Sequence, residues 1–363
     1  MTSDTTIHPD LAEVSRTSLA QTLLPPLLAS AICLLAGLGV LAAMGFDAGS
    51  VLRTVTTKVL WPGDWTRRLS SWSYVFQYAT PILLTGLAVA VAFQASVWNI
   101  GAQGQYLVGA IAATAVGIQL PAWGIVSIPA ILLAGMLAGA MLASIAAFLE
   151  WWRRVPVVLS TLLLNFVAAE VLRYLLQGPM REPGGQAKSR LIAEAASLPL
   201  IPQSRLHAGF FVALAAAAAV GFMMRQTTFG FQLRVVGANP TAARFAGIRV
   251  PRVALATLAI SGALAGLAGA VEISGVTYEL LLSANDSGFG FTGIAVALLG
   301  RLRALGVVAA ALFFGFLNTV FRALQAELDV PFVTAQAIQG LIVILMLVLT
   351  HPRVAGMVRR SKD

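Results

Sequence analysis

The chain has 363 residues, 58% hydrophobic and only 11% charged, where a soluble domain averages roughly 25% charged. From Leu69 to Leu149, 81 consecutive residues contain no Asp, Glu, Lys, Arg or His. That excludes a water-soluble fold and leaves most of the chain to be solvated by lipid or by its own helices. The formal net charge of +9 fits the positive-inside excess of a membrane protein rather than a nucleic-acid surface, because no basic run exceeds two adjacent residues.

A membrane span needs about 20 apolar residues. Residues 1–18 carry Asp4, Asp10 and Glu13 against Arg16. That flank is wrong for a signal peptide, so these residues read as a tail and Leu19 to Met44 as the first span. Residues 45–71 read as an outer loop whose Arg53, Lys58, Arg67 and Arg68 suit an interfacial amphipathic helix. The uncharged stretch has room for spans at about 72–97, 102–120 and 122–149, with breaks at Asn99–Gly104 and Leu120–Gly124. Glu150, Arg153 and Arg154 close that group. A span at about 157–177 leads into a polar, Pro-bearing outer loop, 178–207. An Ala-rich span at about 208–224 and a polar segment, 225–252, follow. The last spans are about 253–275, 288–300, 304–324 and 332–350, before a basic tail, 351–363. Span 288–300 is too short for a full crossing and reads as a half-helix or re-entrant segment.

The expected fold is therefore all-α. It is a polytopic transmembrane helix bundle over residues 19–350, with about ten membrane segments, some broken or re-entrant. Lys and Arg number 14 in the segments 1–19, 150–156, 225–252, 301–303 and 351–363, against 8 in the opposite loops. Both termini are thus expected in the cytoplasm. Small-residue patterns at Gly135–Gly139 and Gly262–Gly266–Gly269 permit close helix packing.

Several chemistries are absent. A P-loop needs Lys after Gly, and the three lysines, Lys58, Lys188 and Lys362, follow Thr, Ala and Ser. Neither a His-Glu-x-x-His nor a Gly-x-Ser-x-Gly run occurs, so protease and lipase readings have no support. The one cysteine, Cys33, leaves no disulfide or cysteine-based metal site. His8, His207 and His351 lie at segment ends and read as solvated. Glu170 is the one deep intramembrane charge, and Arg173 at i+3 is placed to pair with it. A coupled secondary transporter would need more such groups.

Three segments carry the functional signal. In the first, Asn99-Ile100-Gly101-Ala102-Gln103-Gly104-Gln105, amides and helix breakers sit inside the charge-free block. Such groups cannot face lipid. They suit either a broken helix presenting amides to a polar solute or a tight turn at the inner surface. In the second, Gly237 to Ile248, Asn239 suits an N-cap, Pro240 the first helical position and Gly247 the C-terminal stop. A capped two-turn helix with Ala243, Phe245 and Arg244 suits docking to a cytoplasmic partner; the alternative is a connecting helix lying on lipid. In the third, Gly288 to Gly300, a Gly-Phe-Gly-Phe run opens the half-span. Phe289 and Phe291 suit stacking on a planar or sugar ring, or anchoring at the interface.

Together these segments resemble the membrane-spanning permeases of bacterial ABC importers for nucleosides and simple sugars, in the branched-chain amino acid/ribose-type permease superfamily. In that family the first segment usually reads Asn-Ile-Gly-Ala-Glu-Gly-Gln and the third Gly-Phe-Asp-Gly-Ile-Ala-Val-Ala-Leu-Leu-Gly. Gly237 to Ile248 is similar to the family's coupling segment. Asn165 in Thr161–Asn165, and Ser197-Leu198-Pro199, are also similar, and the resemblance covers about residues 72–350. Gln103 stands where Glu is usual, Gln94 where Arg is usual and Thr292 where Asp is usual, so neutral amides replace a charged pair.

The resemblance implies a permease subunit and not an enzyme, sited in the bacterial cytoplasmic membrane. It further implies a pathway lined by Asn99, Gln103, Gln105, Asn165, Phe289 and Phe291, and coupling through Asn239, Pro240, Ala243, Arg244 and Gly247. The implied partners are a cytoplasmic ATPase that holds ATP and Mg, an extracytoplasmic solute-binding protein, and a second, shorter permease completing a heterodimer. No cofactor or metal is expected on this chain, and no nucleic acid as a partner.

Overall fold

The computed structural model describes residues 35–119, 126–184 and 186–350. Outside them lie the tail 1–18, the first part of the span from Leu19, His8 and Cys33. The break at Leu120–Gly124 and the basic tail with His351 also lie outside. The described chain divides into two compact units, residues 35–52 with 330–350, and residues 53–329.

The helices are α1 (35–43), α2 (Ala48–Thr54), α3 (Trp65–Gln94), α4 (Ala102–Gln119), α5 (Ser127–Arg153) and α6 (Val157–Gln177). Then come α7 (Gly209–Gln226), α8 (Thr228–Ala238), α9 (Pro240–Phe245), α10 (Val250–Glu272), α11 (Phe289–Leu299), α12 (Ala304–Leu328) and α13 (Phe332–Thr350). Among the described residues the only β pairing consists of isolated bridges, such as Arg181 with Ser189. Among the described residues six helices are long and apolar enough to cross a membrane: α3, α5, α6, α7, α10 with its π-helical extension to Thr277, and α12. α4 is diluted by Gln103, Gln105 and Gln119. α11, at 11 residues, rises only about 16 Å, half of the roughly 30 Å hydrocarbon core.

In the smaller unit Gly37 on α1 lets Ile338 of α13 approach, and Leu41, Ile338 and Ile342 are buried. In the larger unit α3 is the core. It is apolar around its whole circumference, as a helix buried on all sides must be, and Ala79 to Ala92 are buried without interruption. It packs against α7, α10, α11 and α12. It starts seven residues before the expected span because Asp64 caps it, accepting from the Trp65 amide at 2.8 Å. Arg67 and Arg68 therefore lie on its first turns rather than in a loop. Arg53 and Lys58 lie on α2 and the π-helical turn Val55–Leu60.

α4, α5 and α10 pack backbone to backbone. A Cβ on Gly109 would meet Gly266, and one on Gly139 would meet Gly262. These are the small-residue patterns read from the sequence.

The loops sort onto two opposite faces. On one, loop 178–207 is pinned along 274–281: Lys188 pairs with Glu279 at 2.9 Å, Ile192 N donates to Tyr278 O and Leu198 N to Ser274 O. Lys58 pairs with Glu327 on the same face. On the other, the end of α3 meets both α8 and the turn between α11 and α12.

Candidate solute pathway and coupling segment

The first motif is a break between α3 and α4. Its three amides are buried, Asn99 0% exposed, Gln103 3% and Gln105 1%, as is Asn165 of α6 at 6%. Asn99 and Gln105 exchange two hydrogen bonds, Asn99 Nδ2 to Gln105 Oε1 at 3.0 Å and Gln105 Nε2 to Asn99 Oδ1 at 3.1 Å. Asn99 Oδ1 also accepts from the Gly101 amide, and Asn99 Nδ2 donates to Ser261 Oγ on α10. Ser261 in turn donates to the Ala88 carbonyl of α3 at 2.6 Å. On the other side Asn165 of α6 accepts from the Gly104 amide at 2.8 Å and donates to the Ile100 carbonyl at 2.9 Å. Thr161 Oγ1 accepts from the Ile100 amide. The motif thus satisfies its own broken backbone, as a helix interruption at membrane depth must. It also ties α3, α6 and α10 to the start of α4.

The third motif meets the first. Gln103 Oε1 accepts from the Gly290 amide at 2.8 Å, and Gln103 Nε2 donates to Asn285 O at 3.2 Å. A Cβ on Gly290 would strike the Gln103 backbone, so Gly is required there. Tyr106 packs edge-on against Phe289, ring centroids 5.7 Å apart. The Thr85 hydroxyl lies 2.9 Å from the Phe289 carbonyl oxygen. The N-termini of α4 and α11 therefore converge beside α3. Phe289 is half-buried, whereas Phe291 is 48% exposed. Of the six expected pathway residues, Asn99, Gln103, Gln105 and Asn165 form the connected interior of this junction, and Phe289 and Phe291 open it outward.

The second motif is α9. Asn239 Oδ1 accepts from the amides of Thr241 and Ala242, and Pro240 occupies the first turn. At the other end Gly247 has φ +79°. Gly247 N donates to Arg244 O and Ile248 N to Ala243 O, the paired bonds of a Schellman stop. Ala243 faces inward, fully buried, while Arg244 is exposed and Phe245 is 90% exposed.

A family model described as branched-chain amino acid transport system / permease component matches residues 71–350. The chain belongs to this permease family.

Among similar proteins, the guanosine ABC transporter permease protein NupP of Bacillus subtilis is 34% identical over 334 residues, 89% of this chain and 92% of that one. The glucose ABC transporter permease protein TsgB13 of Haloferax volcanii is 38% identical, covering 74% of each chain. The nucleoside ABC transporter permease protein NupB of Lactococcus lactis is 31% identical over 66% of this chain and 69% of its own. No solved structure matches.

Sequence reasoning missed three residues of this permease. Ser261 shows no signal, since one serine in an Ala-Gly helix is unremarkable. Glu272 adds a second deep carboxylate to Glu170. It lies within the span ending at Thr277, close enough to Tyr106 to interact electrostatically, and its place in an apolar run was visible. Ser96 donates to the Gly237 carbonyl at 2.8 Å across 141 residues of chain. The reading of His207 is corrected: it is 0% exposed, and neither imidazole nitrogen has a hydrogen-bond partner. It precedes α7 and packs on Gly209 and Gly275, glycines that leave room for its ring. The expected Glu170–Arg173 pair is present at 2.6 Å.

Proposed function

We propose that the chain is the translocation subunit of an ATP-binding cassette importer for a nucleoside or a related small polar solute. The family match over residues 71–350, with a guanosine permease as a relative along nearly the full length, carries this reading. Both termini lie in the cytoplasm, and about ten segments cross or half-cross a bacterial cytoplasmic membrane. A cytoplasmic ATPase, which binds ATP and Mg, grips α9 through Asn239, Pro240, Ala243, Arg244 and Gly247. The exposed Phe245 and the double capping support this, because a short, rigid helix projecting an aromatic ring suits a socket on a partner. An extracytoplasmic binding protein docks on the face formed by loop 178–207 and segment 276–287. A second permease chain completes the pathway. Related permeases occur in pairs, NupP with NupQ and NupB with NupC.

Asn99, Gln105 and Asn165 frame the pathway by holding the α3–α4 break rigid, while Gln103, Phe289 and Phe291 border it where α4 and α11 begin. Neutral amides and aromatic rings favour a neutral solute held by hydrogen bonds and stacking. A simple sugar is the alternative solute, favoured by the glucose permease relative.

The test is uptake of labelled nucleosides and sugars by the reconstituted assembly. Nucleoside uptake that requires the ATPase is expected. ATP hydrolysis by this chain purified alone would overturn the assignment.

A further inference from the structure

α6 presents two different faces. Thr161 and Asn165 turn inward to the α3–α4 break. The opposite face carries Leu163, Phe166, Val167, Glu170 and Tyr174, with Phe166 65% and Tyr174 70% exposed. Phe166, Glu170 and Tyr174 stand at i, i+4 and i+8, one above another along the helix, over about 12 Å. Phe166, Val167, Glu170, Val171 and Tyr174 together form one open face of this helix.

Glu170 is held by both of its oxygens, at 2.6 and 2.8 Å from Arg173 Nη1. The pair is neutral as a unit, yet the Glu170 side chain stays 66% exposed and that of Arg173 54%. Counting along α6, Glu170 lies about 20 Å from Val157 and about 10 Å from Gln177, inside the thickness of a hydrocarbon core. Charged groups inside a span almost always face protein or a water-filled cavity rather than lipid. The contrast with α5 is direct, for its exposed face is apolar from Leu133 through Leu137 and Met141 to Ile145. The α6 stripe therefore faces water or protein.

We propose that the Phe166–Glu170–Tyr174 stripe borders the solute pathway and takes a planar, ring-bearing polar solute such as a nucleoside, with the second permease chain walling the other side. Phe166 and Tyr174 offer rings for stacking. The Glu170 carboxylate keeps acceptor lone pairs free for a base N–H or a ribose hydroxyl while Arg173 holds its charge. This rests on the proposed function and names the recognition surface within it.

The experiment uses the full assembly of both permease chains, ATPase and binding protein in membranes. Cys33, the one cysteine, is replaced by serine, and Phe166→Cys, Tyr174→Cys or Leu137→Cys is introduced singly. A charged methanethiosulfonate reports water access. Positions 166 and 174 are expected to label at least about tenfold faster than position 137 of the lipid face, and guanosine with the binding protein is expected to slow them. Separately, Glu170→Gln is expected to raise the half-saturating guanosine concentration for uptake by roughly tenfold. Labelling at 166 and 174 no faster than at 137, or labelling that no nucleoside slows, overturns the site. Failure of the unsubstituted assembly to take up any nucleoside overturns the proposed function instead.

Discussion

The Ser96 hydroxyl donates a 2.8 Å hydrogen bond to the carbonyl of Gly237, and so fastens the end of α3 to the helix that leads into α9. Ser96 adopts φ +56°, a left-handed conformation that L residues rarely take. A Cβ on Gly237 would run into the Gln94 carbonyl. Gln94 itself donates to Leu302 O at 2.9 Å, in the turn where Arg301 and Leu302 both have positive φ. One knot thus joins α8, the α3–α4 break and the α11–α12 turn.

If the ATPase acts on α9, this knot is one physical route from there to the junction at Gln103 and Gly290. Gly237→Ala is expected to lower solute uptake by about tenfold or more while the assembled ATPase continues to hydrolyse ATP. Ser96→Ala removes one hydrogen bond, about 1 kcal/mol, and is expected to give a milder loss in the same direction. The measurement is solute moved per ATP consumed in proteoliposomes. A ratio unchanged in both variants would show that force does not pass through this contact.

The amide network makes a second prediction, about stability. Asn99→Leu would leave the Gly101 amide and both polar atoms of the Gln105 side chain without their partner, while Ser261 keeps its bond to Ala88. Each buried orphan costs about 1–3 kcal/mol, so a marked fall in the thermal midpoint of the detergent-solubilised protein is expected. Ser261→Ala gives up the bonds to Asn99 and Ala88 alone and is expected to fall less. Equal midpoints for the two variants would mean that Asn99 is not the hub.

The glycine seam between α4, α5 and α10 is expected to be equally intolerant. Gly266→Ala would drive a methyl into the Gly135 carbonyl, and Gly139→Ala into that of Gly262. Neither obstacle is a flexible side chain, so the helices must separate, at about 1–3 kcal/mol. Gly221→Ala on α7 is the control, since its Cβ would sit 3.4 Å from Ala304 in ordinary contact. Folded yield and thermal midpoint should fall for the first two and hold for the third.

What could be read in advance followed from local physics. Asn239, Pro240 and Gly247 fix α9 through caps, and caps are local. The length of residues 288–300 sets a half-span, and the Gly spacings mark the seam. What escaped depends on contacts across the fold. Nothing near Ser96 announces Gly237, and nothing near Ser261 announces Asn99. Asn165 stands next to Phe166 in sequence, yet one turns inward to the break and the other outward. Only the packed helix decides which face meets the α3–α4 break. His207 reads as a loop histidine because it is one, but its ring is buried against Gly209 beside it and the distant Gly275.

That burial gives the last prediction a sign. Desolvation lowers the His207 pKa from 6.5 to about 4, so the folded loop favours neutral imidazole. A group whose folded pKa is depressed contributes stability that is full above its unfolded pKa and is lost as pH falls toward the folded value. Docking of the 186–207 loop on 274–281 is therefore expected to hold at pH 7 and weaken between pH 6.5 and about 4, by up to roughly 3 kcal/mol. Amide hydrogen exchange across 186–207, corrected for intrinsic rates, should show protection falling through that window. His207→Leu removes the titrating group and keeps an apolar filling against Gly209 and Gly275, so its protection should stay level over the same range. An equal loss in both proteins would show that the effect does not come from His207.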